Sequence, residues 1–161
     1  PPTKFMSARV LFVCTGNTCR SPMAEGLLRA ADASLAVASA GVSAMPSQSA
    51  NRETLTVLKD NGAEGSLKGF GSRQVDKPIL DETDIIIAMT SSHAQVIKHH
   101  FPEKADAIHL LCDFIDPDEG LAGQDLPDPF GMGKAAYKEV CAVIQLAIPG
   151  IQSAALKFNA E

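Results

Sequence analysis

Hydrophobic and polar positions fall in short blocks along this chain, and the blocks have the periods of strands and helices. Four nearly continuous apolar runs predict strands that are covered on both faces of a sheet. These runs span residues 8–13, 35–39, 84–89 and 107–111. Helices are predicted from residue 21, over 50–61, from 91 toward 99, and over 135–148. Strands that alternate with helices predict an α/β fold, a doubly wound, Rossmann-like sheet of four parallel strands flanked by helices.

Capping residues and helix breakers set the predicted ends and faces of these helices. Ser21 is expected to cap the first helix, with Glu25 near the positive end of its dipole. In the second helix, Leu55 and Leu58 are expected to point inward. The pair Pro149-Gly150 is expected to break or kink the last helix, because proline lacks the N–H that continues it.

Composition places the chain among ordinary globular proteins, with 161 residues, 45% apolar residues and a net charge of −5. A chain of this length is expected to form one domain, residues 1–161. Its basic residues are scattered rather than arranged in a stripe, which argues against a nucleic-acid partner. No apolar run approaches the roughly 20 residues that span a bilayer, and the first residues lack the core of a signal peptide. We therefore expect neither a membrane partner nor export.

The four cysteines do not have the spacing of a disulfide framework or of a zinc site. They are Cys14, Cys19, Cys112 and Cys141. The four histidines also lack ligand spacing with a third partner, and surface or helix-terminal roles are expected for them. The sequence thus predicts no metal and no other cofactor, and it favours a reducing cytoplasm. It does not indicate an oligomeric state.

Residues 13–22, VCTGNTCRSP, carry the strongest chemical signal of the chain. They place a thiol, Cys14, and a guanidinium, Arg20, on either side of a short polar loop between a strand and a helix. The backbone N–H groups of such a loop can point inward, with the helix N-terminus behind them, and hold a tetrahedral dianion. Cys14 then lies beneath the anion as a nucleophile, and Arg20 can bind two of its oxygens. This arrangement indicates phosphoryl transfer to sulfur.

Polar residues around the loop are expected to support the ionised form of Cys14. The helix N-terminus, the inward amides and Arg20 all favour a thiolate. Ser21 can donate a hydrogen bond to the sulfur. Gly16 suits a bend where a Cβ would crowd the anion, and Asn17 tolerates unusual dihedral angles and can tie the loop to neighbouring backbone.

A proton donor is expected in the long loop at 113–133, because expulsion of a poor leaving group from phosphorus needs a proton. The candidates are Asp113, Asp116, Asp118, Asp125 and Asp128. Asp128 stands between two prolines that stiffen the backbone and aim the side chain. After the leaving group departs, the same carboxylate is expected to act as the base for the hydrolytic water.

Residues 13–26, VCTGNTCRSPMAEG, resemble the phosphate loop of the low-molecular-weight protein-tyrosine-phosphatase family. Asp128-Pro129-Phe130 resembles that family's acid loop, and the similarity extends over about residues 8–158. The resemblance implies a four-stranded parallel sheet, no metal, a cysteinyl-phosphate intermediate and Asp128 as the acid. It assigns phosphate binding to Thr15, Gly16, Asn17, Thr18, Cys19 and Ser21. It also implies that Cys19 can form a reversible disulfide with Cys14, although simple packing beneath the loop is an alternative for Cys19.

The pocket for the substrate is predicted to include Thr15, Met45 and Phe130. Aromatic rings usually wall a phosphotyrosine site, but this chain has no Trp and one Tyr. Phe130-Gly131 stands where tyrosine phosphatases of the family commonly carry two tyrosines, and Thr15 stands where many carry a bulky aliphatic residue. These departures resemble the bacterial protein-arginine-phosphatase branch. Phosphoarginine and phosphotyrosine, on a protein or peptide, are therefore both open as substrates.

Two other functional classes fit part of the motif. A thioredoxin-linked arsenate reductase shares the phosphate loop, but it relays a disulfide through two further cysteines on a mobile segment. Here only Cys112 and Cys141 remain, far apart in the sequence. A non-catalytic phosphate-binding module would use the loop amides and Arg20 without needing both Cys14 and Asp128. The sequence therefore favours a cysteine-dependent protein phosphatase.

Overall fold

The computed structural model describes residues 7–158, and a four-stranded parallel sheet lies at its centre. The strands are β1 (Val10–Cys14), β2 (Val37–Gly41), β3 (Ile85–Ala88) and β4 (Ile108–Leu110). Their order in the sheet is β2-β1-β3-β4, and every neighbouring pair is parallel. The predicted fold class is therefore confirmed. The strand order reverses next to β1, so the carboxyl end of β1 lies where such sheets bind ligands.

Five α-helices and three short 3-10 helices accompany the strands in the described part of the chain. The α-helices are α1 (Arg20–Ala31), α2 (Arg52–Asp60), α3 (Lys77–Asp81), α4 (Ser91–His100) and α5 (Lys134–Lys157). The 3-10 helices are Pro102–Ala107, Leu111–Phe114 and Pro117–Glu119. The sequence pattern did not predict α3, which has five residues and begins where the side chain of Asp76 accepts a hydrogen bond from the Ile79 N–H.

The sheet has a hydrophobic cluster on each face, and alternate residues of β1 belong to different clusters. Val10, Phe12 and Cys14 belong to the cluster that includes residues of α1, α2 and α5. Leu11 and Val13 belong to the cluster that includes residues of α3 and α4. Because successive side chains of a strand point to opposite faces, a strand covered on both sides is apolar throughout. The same alternation places the side chain of Cys14 on the face that α1 covers.

The start of α1 differs from the prediction. Cys19 occupies the N-cap position without a side-chain capping hydrogen bond, and Ser21 lies inside the first turn. Glu25 does not lie in the first turn and is buried, with the Ser39 hydroxyl donating to it at 2.7 Å. All residues from 20 to 28 are buried, so these polar side chains bond to interior partners and not to the end of the helix.

Helix α2 buries a different set of side chains from the one predicted. Thr54, Val57 and Leu58 point into the protein, at the spacing of one helical face. Leu58 is therefore confirmed as inward, but the prediction for Leu55 is wrong, since that residue is 47% exposed. A residue one position beyond Thr54 is rotated by about 100° around the helix, away from the buried face.

Helix α5 continues through Pro149 and Gly150, so the predicted break is wrong. Pro149 lies on the exposed side of the helix. Gly150 packs against the carbonyl group of Phe114, where a Cβ would collide. Ile148 and Ile151, on either side of the two breakers, are both buried. The packing of this face outweighs the cost of about 3 kcal/mol for an internal proline.

Helix α5 is also the one helix in residues 7–158 that is long and apolar enough, by length and composition, to cross a membrane. The expectation that no apolar segment approaches that length does not hold for it. Its buried face belongs to the hydrophobic cluster that also contains residues of α1 and α2. Core helices of globular proteins have the same length and composition, so this property is weak evidence for a membrane.

Candidate active site

The loop of residues 15–19 connects β1 to α1, and neighbouring segments hold the loop and the preceding Cys14 through backbone carbonyl groups. The four bonds are Val42 N–H to Cys14 O (2.9 Å), Ser43 N–H to Thr15 O (2.9 Å), Asn51 N–H to Thr18 O (2.7 Å) and Thr54 Oγ1 to Cys19 O (3.2 Å). The amide N–H groups of residues 15–19 donate to no protein acceptor within residues 7–158. With the N-terminus of α1 behind them, these amides are available to bind an anion.

Gly41, the last residue of β2, makes the curvature of this loop possible. A Cβ on Gly41 would collide with the carbonyl oxygen of Thr15 and lie 3.0 Å from the backbone nitrogen of Asn17. A Cβ on Gly16 would meet no other protein atom closer than Thr18 Oγ1, at 3.9 Å. The close packing of the protein around the loop therefore depends on Gly41, which sequence reasoning did not single out.

The sulfur of Cys14 lies at the carboxyl end of β1, and its residue is only 3% exposed. The Oγ of Ser21 is 2.8 Å from this sulfur and accepts a hydrogen bond from Asn17 Nδ2 at 2.9 Å. An amide NH2 group can only donate, so the Ser21 oxygen must accept there. In the described part of the chain, the sulfur is the one acceptor left for the Ser21 proton. This arrangement therefore favours Ser21 as the donor to the Cys14 sulfur.

The orientation of the Asn17 side chain is fixed by its other bonds. Asn17 is fully buried and has a left-handed backbone, with φ of 58°. Its Oδ1 accepts from the Arg73 N–H at 3.0 Å, so its Nδ2 must face the serines. The second Nδ2 proton goes to Ser39 Oγ at 2.9 Å, and Ser39 in turn donates to Glu25. Burial raises the pKa of Glu25, while the bond from Ser39 and the charge of Arg29 partly offset this effect.

Arg20 and Asp128 line the same cavity, and their charged groups are close together. Arg20 is the first residue of α1 and is 6% exposed, and its Nη1 donates to the carbonyl oxygen of Leu126 at 2.8 Å. Its Nη2 lies 3.8 Å from Asp128 Oδ2. The other carboxylate oxygen of Asp128 accepts from the Phe130 N–H at 3.1 Å, and this side chain is 57% exposed. The guanidinium thus anchors the segment that carries the carboxylate.

One cavity of about 220 Å³ brings most of the predicted site residues together. Its lining consists of Cys14, Thr15, Gly16, Thr18, Cys19, Arg20, Asp128 and Phe130. Among the five candidate aspartates, only Asp128 lines it. Met45 does not line it, and the Met45 side chain is 66% exposed on the neighbouring loop. Within residues 7–158, no three His, Cys, Asp or Glu side chains come together in a metal-binding arrangement.

Cys19 both lines this cavity and packs against α5. Its sulfur lies 3.4 Å from the hydroxyl oxygen of Tyr137, which is buried in α5. Burial raises the pKa of the Cys19 thiol and also raises the pKa of Tyr137. Cys19 is therefore a neutral thiol, and all four cysteines of the chain are free.

His93 is a buried residue of the site that sequence reasoning missed. It lies in the first turn of α4 and is 5% exposed, and its Nε2 is 2.8 Å from Thr15 Oγ1. The general expectation of a surface or helix-terminal role did not foresee this contact. The available signal was its position five residues after β3, since neighbouring parallel strands end at the same edge of the sheet.

Residues 9–160 match the family model described as low molecular weight phosphotyrosine protein phosphatase. A protein-arginine-phosphatase of Geobacillus stearothermophilus is 41% identical over 134 residues, which cover 83% of this chain and 86% of the relative. The crystal structure of the Erwinia amylovora tyrosine phosphatase AmsI superimposes with a TM-score of 0.82 at 28% identity, covering 93% of this chain and 94% of that one.

A third similarity concerns the catalytic chemistry of a relative. The structure of a cysteine-to-serine mutant of the arginine phosphatase YwlE, with a phosphorylated active-site serine, superimposes with a TM-score of 0.77 at 29% identity. It covers 89% of this chain and 94% of that one. Together with the loop after β1 and the sheet that supports it, these similarities show that the chain belongs to the low-molecular-weight phosphotyrosine protein phosphatase family, as an enzyme of the phosphomonoesterase type.

Proposed function

We propose that this protein is a protein phosphatase that forms a cysteinyl-phosphate intermediate on Cys14. The observation that carries the proposal is the contact of 2.8 Å between Ser21 Oγ and the buried Cys14 sulfur, with Asn17 Nδ2 donating to the same Ser21 oxygen. A module that only binds phosphate has no need of an ionised sulfur at the base of its cavity. The relative with a phosphorylated serine in the place of its active-site cysteine supports the same chemistry.

In the first step, the amides of residues 15–19 and the guanidinium of Arg20 bind the oxygens of the substrate's phosphoryl group. One guanidinium nitrogen already donates to Leu126, which holds the plane of the group in position. The separation of 3.8 Å between Arg20 Nη2 and Asp128 Oδ2 is long for an ion pair. The incoming dianion can therefore replace Asp128 as the partner of the guanidinium. The Cys14 sulfur then attacks phosphorus from the base of the cavity.

In the second step, the leaving group departs toward the mouth of the cavity, where Asp128 lies. An S–P bond forms as the bond from phosphorus to the leaving oxygen or nitrogen breaks, and the Asp128 carboxylic acid gives that atom a proton. The resulting carboxylate then takes a proton from water, whose oxygen attacks phosphorus. The S–P bond breaks, inorganic phosphate leaves, and the bond from Ser21 stabilises the departing thiolate.

The lining of the cavity favours phosphoarginine as the substrate. Thr15 and Thr18 contribute hydroxyl groups, which suit a guanidinium group with its N–H donors. The similarity to a protein-arginine-phosphatase supports this choice. Phosphotyrosine is the second candidate, because Phe130 lines the cavity with a ring that is 67% exposed and can stack on another ring.

The arsenate-reductase alternative finds no support in the arrangement of the remaining cysteines. Cys112 and Cys141 are 2% and 1% exposed, and neither lines the cavity that contains Cys14. A relay of disulfides would need such a thiol to reach the nucleophile. We therefore expect no reduction of arsenate by this protein.

We also propose that Cys19 protects the nucleophile during oxidation, because both thiols line one cavity. Hydrogen peroxide would convert the Cys14 thiolate to a sulfenic acid with release of hydroxide. The Cys19 thiol would then attack that sulfur, release water and form a disulfide. Mass spectrometry after mild peroxide should find this crosslink, and irreversible overoxidation of Cys14 alone would contradict it. Four free thiols fit a reducing cytoplasm as the setting.

The test of the proposed function is kcat/KM for a phosphoarginine peptide, a phosphotyrosine peptide and arsenate. We expect hydrolysis of at least one peptide, no reduction of arsenate, and complete loss of turnover in Cys14→Ser. Cys112→Ser is the matched control, because it removes a buried thiol outside the cavity and should retain turnover. Appreciable hydrolysis by a folded Cys14→Ser variant would remove Cys14 as the nucleophile.

A further inference from the structure

The contact between His93 and Thr15 joins a buried imidazole to the wall of the active-site cavity. His93 Nε2 lies 2.8 Å from Thr15 Oγ1, and Thr15 is an exposed residue that lines the cavity. The other ring nitrogen of His93, Nδ1, is buried and has no hydrogen-bond partner among residues 7–158. The imidazole therefore makes its one hydrogen bond to the cavity wall, and no other bond competes for its orientation.

The ring of His93 is neutral at physiological pH. Burial and the positive charge of Arg20 lower its pKa to about 4, although Asp125 and Asp128 act in the opposite direction. A neutral imidazole carries one proton, on Nδ1 or on Nε2. An orphaned buried N–H group is rarer than an unpaired acceptor, so the proton belongs on Nε2 and the unpaired Nδ1 is a bare acceptor. His93 thus donates to Thr15.

The direction of this bond determines what Thr15 offers to a substrate. A hydroxyl group has one proton and two lone pairs. Because one lone pair accepts from His93, the proton and the second lone pair of Thr15 stay available to the cavity. A phosphoarginine group brings N–H donors next to its phosphorus, and these can use the second lone pair. An aromatic ring brings only C–H groups to the same wall and leaves the hydroxyl unpaired.

We propose that His93 is a positioning residue that orients the Thr15 hydroxyl and so makes the cavity favour phosphoarginine over phosphotyrosine. This inference rests on the proposed phosphatase function of the same cavity. Nothing in the proposed chemical steps requires His93, which touches neither Cys14 nor Asp128 among the described hydrogen bonds. Its effect should therefore appear in the choice of substrate and depend entirely on Thr15.

The test is a double-mutant cycle with His93→Leu, Thr15→Val and the combination of the two. The measured quantity is the ratio of kcat/KM for a phosphoarginine peptide to that for a phosphotyrosine peptide. Each single variant should lower this ratio roughly twofold to tenfold, the range for one neutral hydrogen bond. The double variant should match Thr15→Val, because His93 acts only through that hydroxyl. An unchanged ratio in either single variant, or effects that simply multiply, would overturn the proposal.

Two further variants separate positioning from a structural role. His93→Gln keeps an N–H donor near the position of Nε2 and should restore much of the ratio. His100→Gln changes an exposed histidine at the other end of α4 and should leave the ratio as it is. Circular dichroism and urea unfolding establish that each variant is folded before its kinetics are compared. Failure of His93→Gln to exceed His93→Leu would contradict the proposed bond.

A measurement on the protein without substrate tests the hydrogen bond between His93 and Thr15 independently of the proposed phosphatase function. Nitrogen-15 NMR of the imidazole reports which ring nitrogen of His93 carries the proton. We expect the proton on Nε2 in the parent protein and an altered Nε2 signal in Thr15→Val. A proton on Nδ1 would overturn the assigned direction, even in an active enzyme. Absence of turnover on both peptides would overturn the phosphatase function, and with it the claim about substrate choice.

Discussion

Replacement of Asn17 by alanine tests the polar network that supports the Cys14 sulfur. The fully buried side chain donates to Ser21 and Ser39 and accepts from the Arg73 N–H, so the variant loses three hydrogen bonds. Each is worth about 1 kcal/mol net. The left-handed backbone at φ of 58° is also about 1 kcal/mol less favourable for alanine than for asparagine. The expected loss is therefore about 4 kcal/mol in the free energy of unfolding.

Urea unfolding measures this loss, and two further variants interpret it. Asn51→Ala is the matched control, because Asn51 has a negative φ and its side chain makes one capping bond, to the Glu53 N–H. It should cost about 1 kcal/mol. Asn17→Asp retains the acceptor for Arg73 and tolerates the backbone, so it should be more stable than Asn17→Ala.

The two Asn17 variants should also differ from the control in activity. In Asn17→Asp the new carboxylate accepts the Ser21 proton, which then no longer supports the Cys14 thiolate, and it adds a negative charge beside the sulfur. We expect kcat to fall at least tenfold while Asn51→Ala stays close to the parent. If Asn17→Ala costs no more stability than Asn51→Ala, or Asn17→Asp keeps full kcat, the reasoning about this network is refuted.

Four other substitutions test separate parts of the site. Arg20→Lys should lower kcat/KM roughly 10- to 100-fold, because a point charge cannot replace the planar fork, and an unchanged value would contradict the proposed grip. Asp128→Asn should slow substrates with poor leaving groups more than those with good ones, and equal slowing across a series of aryl phosphates would exclude it as the acid. Gly41→Ala should destabilise the protein by about 2 kcal/mol or more in urea, because its Cβ meets the carbonyl of residue 15; parent-like stability would show that the loop can move away. The pKa of His93 is lowered from 6.5 to about 4 in the folded protein. As the pH falls from 6.5 to 4, the imidazole therefore gains a proton in the unfolded chain but not in the folded protein. The free energy of unfolding should drop by up to about 3 kcal/mol over this range. This drop should be smaller in His93→Gln. The same pH profile of stability in the variant and the parent would contradict the predicted role of His93.

The sequence predicted those parts of the fold in which one local signal decides the structure. The apolar runs that became β1 and β3 are buried on both faces, so their pattern is unambiguous. The run at 35–39 was placed two residues early, since β2 covers Val37–Gly41. There the apolar run alone does not fix the register, because pairing with β1 decides which residues enter the sheet.

The wrong predictions arose where tertiary packing overrides a local rule. Pro149 is a helix breaker by itself, but the buried face of α5 extends on both sides of it. Ser21 is a good helix cap by itself, but its hydroxyl group forms hydrogen bonds with the Cys14 sulfur and the Asn17 side chain instead. For α5 the deciding partners lie on other parts of the fold, whereas for Ser21 they lie in the loop that precedes it in the chain.

Some residues of the candidate site could also be predicted from the sequence, whereas others could be found only in the folded structure. Cys14, Arg20 and the residues between them are contiguous, so their meeting in one cavity follows from the motif. Asp128 comes from a distant loop, and its choice among five aspartates needed the flanking prolines and the family resemblance. His93 and Gly41 carry no chemical motif. Their importance appears only when the ends of β2 and β3 are seen beside the loop that follows β1.

The most direct test of the central claim is chemical trapping of the enzyme during turnover. The protein is mixed with a phosphorylated peptide and quenched rapidly in acid, and the location of any covalent phosphate is determined by peptide mass spectrometry. We expect the phosphate on the peptide that contains Cys14. Sustained turnover with no phosphate on Cys14, or with the phosphate on another residue, would contradict the account.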